Sequence, residues 1–251
     1  MRTDTICRTK NLIGEDAIRK LAECHVAIFG VGGVGGYTAE VLARSGIGSI
    51  DLFDCDRIDP SNVNRQILAL LSTVGEYKVD VAEKRILDIN PECKVNKHAI
   101  FYQPENADGI DLAQYDYVLD CIDTMTAKIE LIKRCTERGI PIISSMGAAN
   151  KMDPTAFRVM DIYKTTMDPM AKVLRKKLRE AGVKKLKVVC SGEMPIKPTD
   201  NADIDDSNGN TGPATNKKRI TPASNAFVPA VAGIIMGGEA IKDIIGYKPA
   251  L

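Results

Sequence analysis

Three stretches of this chain carry the residue types that nucleotide chemistry needs. The first is Gly30-Val-Gly32-Gly33-Val-Gly35, a G-x-G-x-x-G pattern. Residues without side chains let a backbone come close to phosphate oxygens, and a helix starting there turns unpaired N–H groups toward the negative charge. The second runs from Asp54 to Gln66, Asp54-Cys-Asp56-Arg-Ile-Asp-Pro-Ser-Asn62-Val-Asn64-Arg65-Gln66, and is dense in polar groups, with Lys78 following it. The third is Asp120-Cys-Ile-Asp123. Asp54 stands where a carboxylate would accept ribose hydroxyls. Arg65 and Lys78 can neutralise a triphosphate, and Asp123 can hold Mg2+. Hydride transfer needs no such set, whereas nucleotidyl transfer needs cations placed against phosphate charge. The expected ligand is therefore ATP rather than NAD. Its binding candidates are Gly30, Gly32, Gly33, Gly35, Asp54, Asp56, Asn62, Asn64, Arg65, Gln66 and Lys78, and the catalytic candidates are Arg65, Lys78 and Asp123. A strand-to-helix turn with no ligand would also use such glycines. The register of strand, glycine turn, helix and Asp54 favours the nucleotide.

Elements in the right order exist to hold these groups. His25–Phe29 reads as a buried parallel strand, followed by the glycine turn and a helix from about Tyr37 to Arg44 that Ser45-Gly46 stops. Ser49–Phe53 is a second strand ending at Asp54. Val79, Ala82, Ile86 and Ile89 recur at helical spacing and predict a helix over Glu76–Asn90, ended by Pro91. Lys94–Ile100, Tyr117–Ile122 and Pro141–Ser145 are further strands, with a helix over Thr126–Glu137 between the last two. The alternation predicts an α/β fold with a doubly wound, mostly parallel Rossmann-like sheet. A short amphipathic helix, Ile13–Glu23, precedes it. Beyond it come a strand over Ala156–Ile162, a helix over Pro169–Ala181 and a strand over Lys187–Ser191. The polar stretch Met194–Arg219 reads as a long mobile loop, and Phe227–Ile245 as an apolar C-terminal helix. The expected organisation is one domain over 1–251, with the nucleotide-binding core in 1–155 and a substrate-binding part in 156–251.

The chain has 251 residues and a formal net charge of +1, so no whole-protein field draws it to nucleic acid, and any basic patch must be local. One such patch exists. Lys172, Arg175, Lys176, Lys177, Arg179, Lys184, Lys185 and Lys187 face the single acid Glu180 within sixteen residues. The candidates for RNA phosphates are Lys172, Arg175, Lys176, Arg179, Lys184 and Lys185. A solvated helix face would look the same. Few aromatic residues are interleaved, so base stacking there is minor. The first 23 residues are polar, and the longest apolar run, Ala226–Gly238, contains Pro229 and falls short of the ~20 residues a bilayer requires. A cytoplasmic, membrane-free protein is expected. The seven cysteines contain no C-x-x-C pair, which argues against zinc and for buried thiols. His25 and His98 fall in strands and read as structural.

The glycine turn, the Asp54–Gln66 segment, Lys78 and Asp120-Cys-Ile-Asp123 together resemble the ubiquitin-activating-enzyme-like superfamily, whose members adenylate carboxylates. The resemblance implies Asp54 on the ribose, Asn64, Arg65 and Lys78 on the phosphates, and Asp123 on Mg2+. It also implies that Arg8, in Cys7-Arg8-Thr9, enters the ATP site of a partner subunit, so that the active unit is a homodimer. Three more segments narrow the match: Ile143-Ser-Ser-Met-Gly147-Ala-Ala-Asn150-Lys151-Met-Asp153-Pro154-Thr155, Asp168-Pro-Met-Ala-Lys172 and Ser224-Asn225-Ala-Phe-Val-Pro229. These look like the tRNA threonylcarbamoyladenosine dehydratases, over nearly the whole chain apart from Met194–Arg219. That family implies ATP-dependent adenylation of the carboxylate of N6-threonylcarbamoyladenosine in a tRNA anticodon loop, then ring closure. It allows a sulfur-relay protein as a further partner. The Ala148-Ala149-Asn150 turn and Ser224-Asn225 are implied to hold substrate or a monovalent cation, Na+ or K+, a choice the sequence leaves open.

The alternative within the superfamily is adenylation of the C-terminal glycine of a ubiquitin-like sulfur-carrier protein. The paired C-x-x-C zinc motifs usual there are missing. In such relatives a cysteine takes the acyl group as a thioester, and Cys190, in Val-Val-Cys190-Ser-Gly, could serve, but ring closure needs none and a strand thiol is the expectation. Readings from other classes are an NAD-dependent oxidoreductase and a nucleotide-binding scaffold without catalysis.

Overall fold

A computed structural model of the chain describes residues 5–197, 199 and 222–248, and most of the loop expected over Met194–Arg219 lies outside them. Seven short runs of apolar or alternating residues form strands: β1 (His25–Phe29), β2 (Ser49–Phe53), β3 (Lys94–His98), β4 (Tyr117–Asp120), β5 (Ile142–Ser145), β6 (Phe157–Asp161) and β7 (Lys187–Ser191). Helices with one apolar stripe cover the sheet: α1 (Cys7–Ile13), α2 (Glu15–Glu23), α3 (Gly35–Arg44), α4 (Lys78–Ile89), α5 (Met125–Arg138), α6 (Pro169–Glu180) and α7 (Val228–Ile245).

All strands join one sheet in the order β3-β2-β1-β4-β5-β7-β6. Every pair is parallel except β6, which runs antiparallel to β7. The winding direction reverses between β1 and β4, so the crevice at their carboxyl ends is the place where such sheets bind ligands. The doubly wound, mostly parallel sheet is the expected one. Many element ends differ from the expected ones by one or two residues, and three of the differences have a clear local reason. Gly14, at φ 85°, breaks the N-terminal helix in two, and α1 was not foreseen. Tyr77 is held extended by its bridge to Arg57, so α4 opens at Lys78 rather than Glu76. The Asp120 carboxylate accepts the Ile122 amide at 3.2 Å, which curls the chain off the sheet at the end of β4.

One side of the sheet is packed by α3, α4 and α7, the other by α5 and α6. Helix α7 approaches α3 closely because Gly233 leaves the space: a β-carbon there would stand 2.3 Å from Val34 O. Thr38 Oγ1 donates to Gly233 O at 3.1 Å across the same contact.

Both histidines of the chain bond one carboxylate. Asp51, in β2 and buried, takes His25 Nε2 at 2.6 Å, Asn96 Nδ2 at 2.6 Å, His98 Nε2 at 2.8 Å and the Tyr115 hydroxyl at 2.9 Å. A carboxylate can only accept here, so each imidazole carries its proton on Nε2. Burial pushes the Asp51 carboxyl up, and the four donors more than reverse this, holding it below the ordinary 3.8. The stabilisation is thus present above pH 3.8 and lost as pH falls through the lower folded value. Asp51→Asn, which turns an amide toward these donors, is expected to cost about 2 kcal/mol or more at pH 7, the penalty of unmatched buried polar groups. Denaturant unfolding should show this gap from wild type narrowing below pH 3.8.

Candidate active site

The glycine turn is fixed by contacts that exclude side chains. Gly30 has φ 87°, its amide donates to Phe53 O at 2.8 Å, and a β-carbon on it would lie 2.8 Å from Cys121 O. Gly35 packs against Gly30 O, at 1.8 Å from where its own β-carbon would be. The turn therefore presses on the backbone of the Asp120–Asp123 segment. The amides of Gly32, Gly33 and Val34 have no acceptor among the described residues, which leaves the start of α3 ready for an anion.

Asp54 closes one side. Its Oδ2 accepts the Val31 amide at 2.7 Å and its Oδ1 the Asp56 amide at 2.9 Å. Lys78 Nζ lies 2.6 Å from Asp56 Oδ2 and 3.9 Å from Asp54 Oδ1, with its side chain only 7% exposed. Burial lifts the Asp54 carboxyl above its ordinary value, against the pull of the Lys78 ammonium and the two amides. Lys78 thus stands between the buried Asp54 and the largely exposed Asp56 and keeps the two acids compatible.

The loop from Arg57 to Tyr77 is tied at its base. Arg57 stacks on the Tyr77 ring, with the guanidinium carbon 3.7 Å from its centre, and donates to Gly75 O at 2.7 Å. Inside the loop Pro60–Asn62 makes one 3-10 turn, capped by Asp59. Asn62 serves this cap, its Oδ1 accepting the Asp59 amide at 3.2 Å, so it positions the loop from within. Arg65 is half-buried and donates to Ser61 O (2.7 Å) and Asn64 Oδ1 (2.9 Å), while Asn64 Nδ2 reaches Ser224 O at 3.2 Å. The carbonyl of Arg65 faces Gly33, and the side-chain Nε2 of Gln66 faces Gly32. Gln66 is buried, and its Oε1 has no partner among the described residues, an acceptor open to a ligand's donor.

Asp123 stands exposed just past β4, and among the described residues its carboxylate takes only a long 3.4 Å hydrogen bond from Thr124. A single free carboxylate beside a phosphate cradle suits Mg2+, which takes one or two carboxylates and fills its shell with phosphate and water. Among the described residues no group of three or more His, Cys, Asp or Glu is placed to hold a metal. The Arg65 backbone lies against Gly33, Lys78 reaches the turn through Asp54, and Asp123 follows the Cys121–Ile122 backbone that packs on Gly30. The chain that leads into α1 and Arg8 starts elsewhere: Thr5 shares a hollow with Arg44, Asp88 and Ile89, where α3 and α4 end. Helix α3, ten residues long and thus about 15 Å, separates that end from the turn.

Sequence reasoning missed two buried ion pairs that support the site. Lys128, fully buried in α5, donates to Asp120 Oδ2 (2.7 Å), Ser144 Oγ (3.1 Å) and Ser145 O (3.0 Å), joining the ends of β4 and β5. Its signal was in the sequence, because it shares a helix face with Leu131, Ile132 and Cys135. Lys151 pairs with Asp168 at 3.1 Å and donates to Gly147 O at 2.6 Å, tying the Gly147–Lys151 turn to the start of α6. Cys190 is buried, its thiol pushed up to about 11 by burial, which fits a strand thiol.

Of the basic run, Lys172, Lys176, Arg179, Lys184 and Lys185 are exposed on α6 and after it. Arg175 differs: it is half-buried and bonds Thr165 O at 2.8 Å, so its guanidinium clamps a loop.

The sequence profile described as the ThiF family matches residues 6–251. A tRNA threonylcarbamoyladenosine dehydratase of Bacillus subtilis is 50% identical over 95% of this chain and 93% of that protein. Crystal structures of Escherichia coli tRNA N6-threonylcarbamoyladenosine dehydratase, TcdA, in complex with AMP and with ATP, align with TM-scores of 0.85 at 34% and 32% identity, covering 97% of this chain and 95% of theirs. The adenylyltransferase and sulfurtransferase MOCS3 of Drosophila grimshawi is 37% identical over only 53% of the chain and 29% of that protein.

Proposed function

The chain belongs to the ThiF family, and from that premise we propose that it acts as a tRNA threonylcarbamoyladenosine dehydratase, forming an adenylate from ATP. The reading is supported by the glycine turn itself, whose Gly32, Gly33 and Val34 amides have no acceptor among the described residues, with the Arg65 backbone against Gly33 and the Asp120–Asp123 segment against Gly30. ATP lies with its phosphates over Gly30–Gly35 and its ribose on Asp54. The carboxylate of the threonylcarbamoyl group attacks the α-phosphorus, and pyrophosphate leaves. Arg65 and Lys78 offset the charge that builds on the phosphate oxygens. Asp123 would hold Mg2+, which would supply further positive charge at the phosphates. A nucleophile of the same modification then attacks the activated carbonyl, and AMP departs with one former carboxylate oxygen. The net loss is one water. Ring closure is intramolecular and gains from proximity. Neither a thioester at Cys190, nor a monovalent cation, nor a sulfur-relay protein is required by this scheme. The shorter match to MOCS3 and the missing zinc cysteines weigh against a protein carrier as substrate.

Thr5, three residues before Arg8, lies at the end of α3 away from the glycine turn, which supports a homodimer in which Arg8 completes the partner's site. The exposed lysines and Arg179 along α6 supply a path for tRNA phosphates. Among the described residues no helix is long and apolar enough to cross a membrane, and a tRNA substrate supports a cytoplasmic place of work.

Incubating the protein with ATP, Mg2+ and threonylcarbamoylated tRNA should remove the mass of one water from the modified nucleoside, with one AMP formed per ring. Stimulation of pyrophosphate exchange by a carrier protein instead of tRNA would overturn the assignment. In the same assay, Lys176→Glu with Lys184→Glu should raise KM for tRNA and flatten its salt dependence, leaving KM for ATP unchanged. An unchanged salt slope would remove α6 from the RNA path.

A further inference from the structure

An aromatic face at the mouth of the site has no part in this scheme. Phe227 is 42% exposed, and Met152 close by is 57% exposed. Their backbones are rigidly held. Asn225 Nδ2 donates to Lys151 O at 2.8 Å and lies 3.4 Å from Met152 Sδ, while its Oδ1 accepts the amides of Phe227 (3.2 Å) and Val228 (2.9 Å). Asn150 and Ala223 exchange two hydrogen bonds, of 2.7 and 2.8 Å. Asn64, beside Arg65, holds Ser224. Two residues past Phe227, Pro229 Cβ lies 3.3 Å from where a β-carbon on Gly33 would be. Phe227 thus lies between the glycine turn and the Gly147–Met152 turn.

We propose that Phe227, edged by Met152, is the platform on which the purine of the substrate adenosine stacks. The inference rests on the reaction assigned above. The carboxylate to be activated must reach a phosphate over the glycine turn, and only a short chain joins it to its purine, so the base comes to rest near that turn. The other well-exposed aromatic residues, Phe101 and Tyr247, follow β3 at the sheet's far edge and the opposite end of α7. Unpaired loop nucleotides are held by stacking on aromatic rings, which read no base edge and tolerate any purine. Charge complementarity adds to this. The Lys151–Asp168 pair joins the platform's turn to the start of α6, so Lys172 and then Lys176 and Arg179 lead phosphates away from the base.

The test uses the full-length protein and an anticodon stem–loop RNA carrying threonylcarbamoyladenosine, with RNA binding, ATP binding and ring closure measured separately. Phe227→Ala should weaken RNA binding and raise KM for RNA by about tenfold or more, with ATP affinity within about twofold of wild type. Phe227→Tyr should retain binding. Phe227→Leu, which keeps apolar bulk without a π face, should lose it. An unchanged affinity for RNA in Phe227→Ala, or a loss of ATP affinity as large as that for RNA, overturns the platform. RNA binding is read without turnover. A wild-type protein that binds through Phe227 yet forms no AMP therefore refutes the reaction and supports the platform, and normal ring closure at normal KM in Phe227→Ala does the reverse.

Discussion

Replacing Lys78 with Met is expected to lower adenylate formation by about a hundred- to a thousandfold, the loss typical of removing one preorganised electrostatic group from a water-poor site. The side chain is nearly isosteric, so the cause would be charge and not shape. In the folded protein the ammonium lies 2.6 Å from Asp56 and 3.9 Å from Asp54. Without it two acids face each other where burial already resists the ionisation of Asp54. A protonated Asp54 is a poorer acceptor for the Val31 amide and for ribose hydroxyls, so ATP affinity should fall too. AMP release and ATP binding measure both effects, and a rate within about tenfold of wild type would contradict the role. The same variant probes the dimer. Mixed with an inactive Arg8→Ala protein, it should regain about a quarter of wild-type sites if each Arg8 completes the other subunit's centre, since half the dimers are mixed and each has one intact site. No recovery after subunit exchange would show that Arg8 does not act across the dimer.

The second large effect falls on stability. Lys128→Met strands the Asp120 carboxylate in the interior, with only Ser144 and the Ile122 amide to satisfy it. Breaking one side of a buried ion pair costs about 3–5 kcal/mol. Adding Asp120→Asn should restore part of this, because a neutral amide costs less to bury than an unpaired carboxylate. The double variant should still be slow, since the Asp120 carboxylate shapes the turn that presents Asp123. Denaturant unfolding decides the first point, where a loss under about 1 kcal/mol for the single variant would count against it. AMP formation decides the second.

Much of this arrangement was legible in the sequence. β1, β2 and β7 have the expected ends, because short apolar runs between polar or glycine residues leave little choice of register. Arg65, Lys78 and Asp123 stood out because charges just past buried strands have to be paired or used. What escaped was set by tertiary contact. Asn62 and Arg175 have the residue types of ligand contacts, yet a cap and a loop engage their side chains. Asp51 is an acid inside an apolar strand, and only the fold brings His25, Asn96, His98 and Tyr115 to it. The aromatic ring absent from the basic run lies about fifty residues further on, at Phe227.

The contact between Gly233 of α7 and Val34 of α3 bears on the order in which the protein is made. Val34 belongs to the nucleotide turn, and α7 is translated long after it. Folding that follows the emerging chain can build β1 and its neighbours early, but the floor beneath the turn arrives only with α7. A nascent polypeptide on the ribosome therefore has no finished pocket for ATP, and nucleotide capture should mark release of the folded product rather than its synthesis.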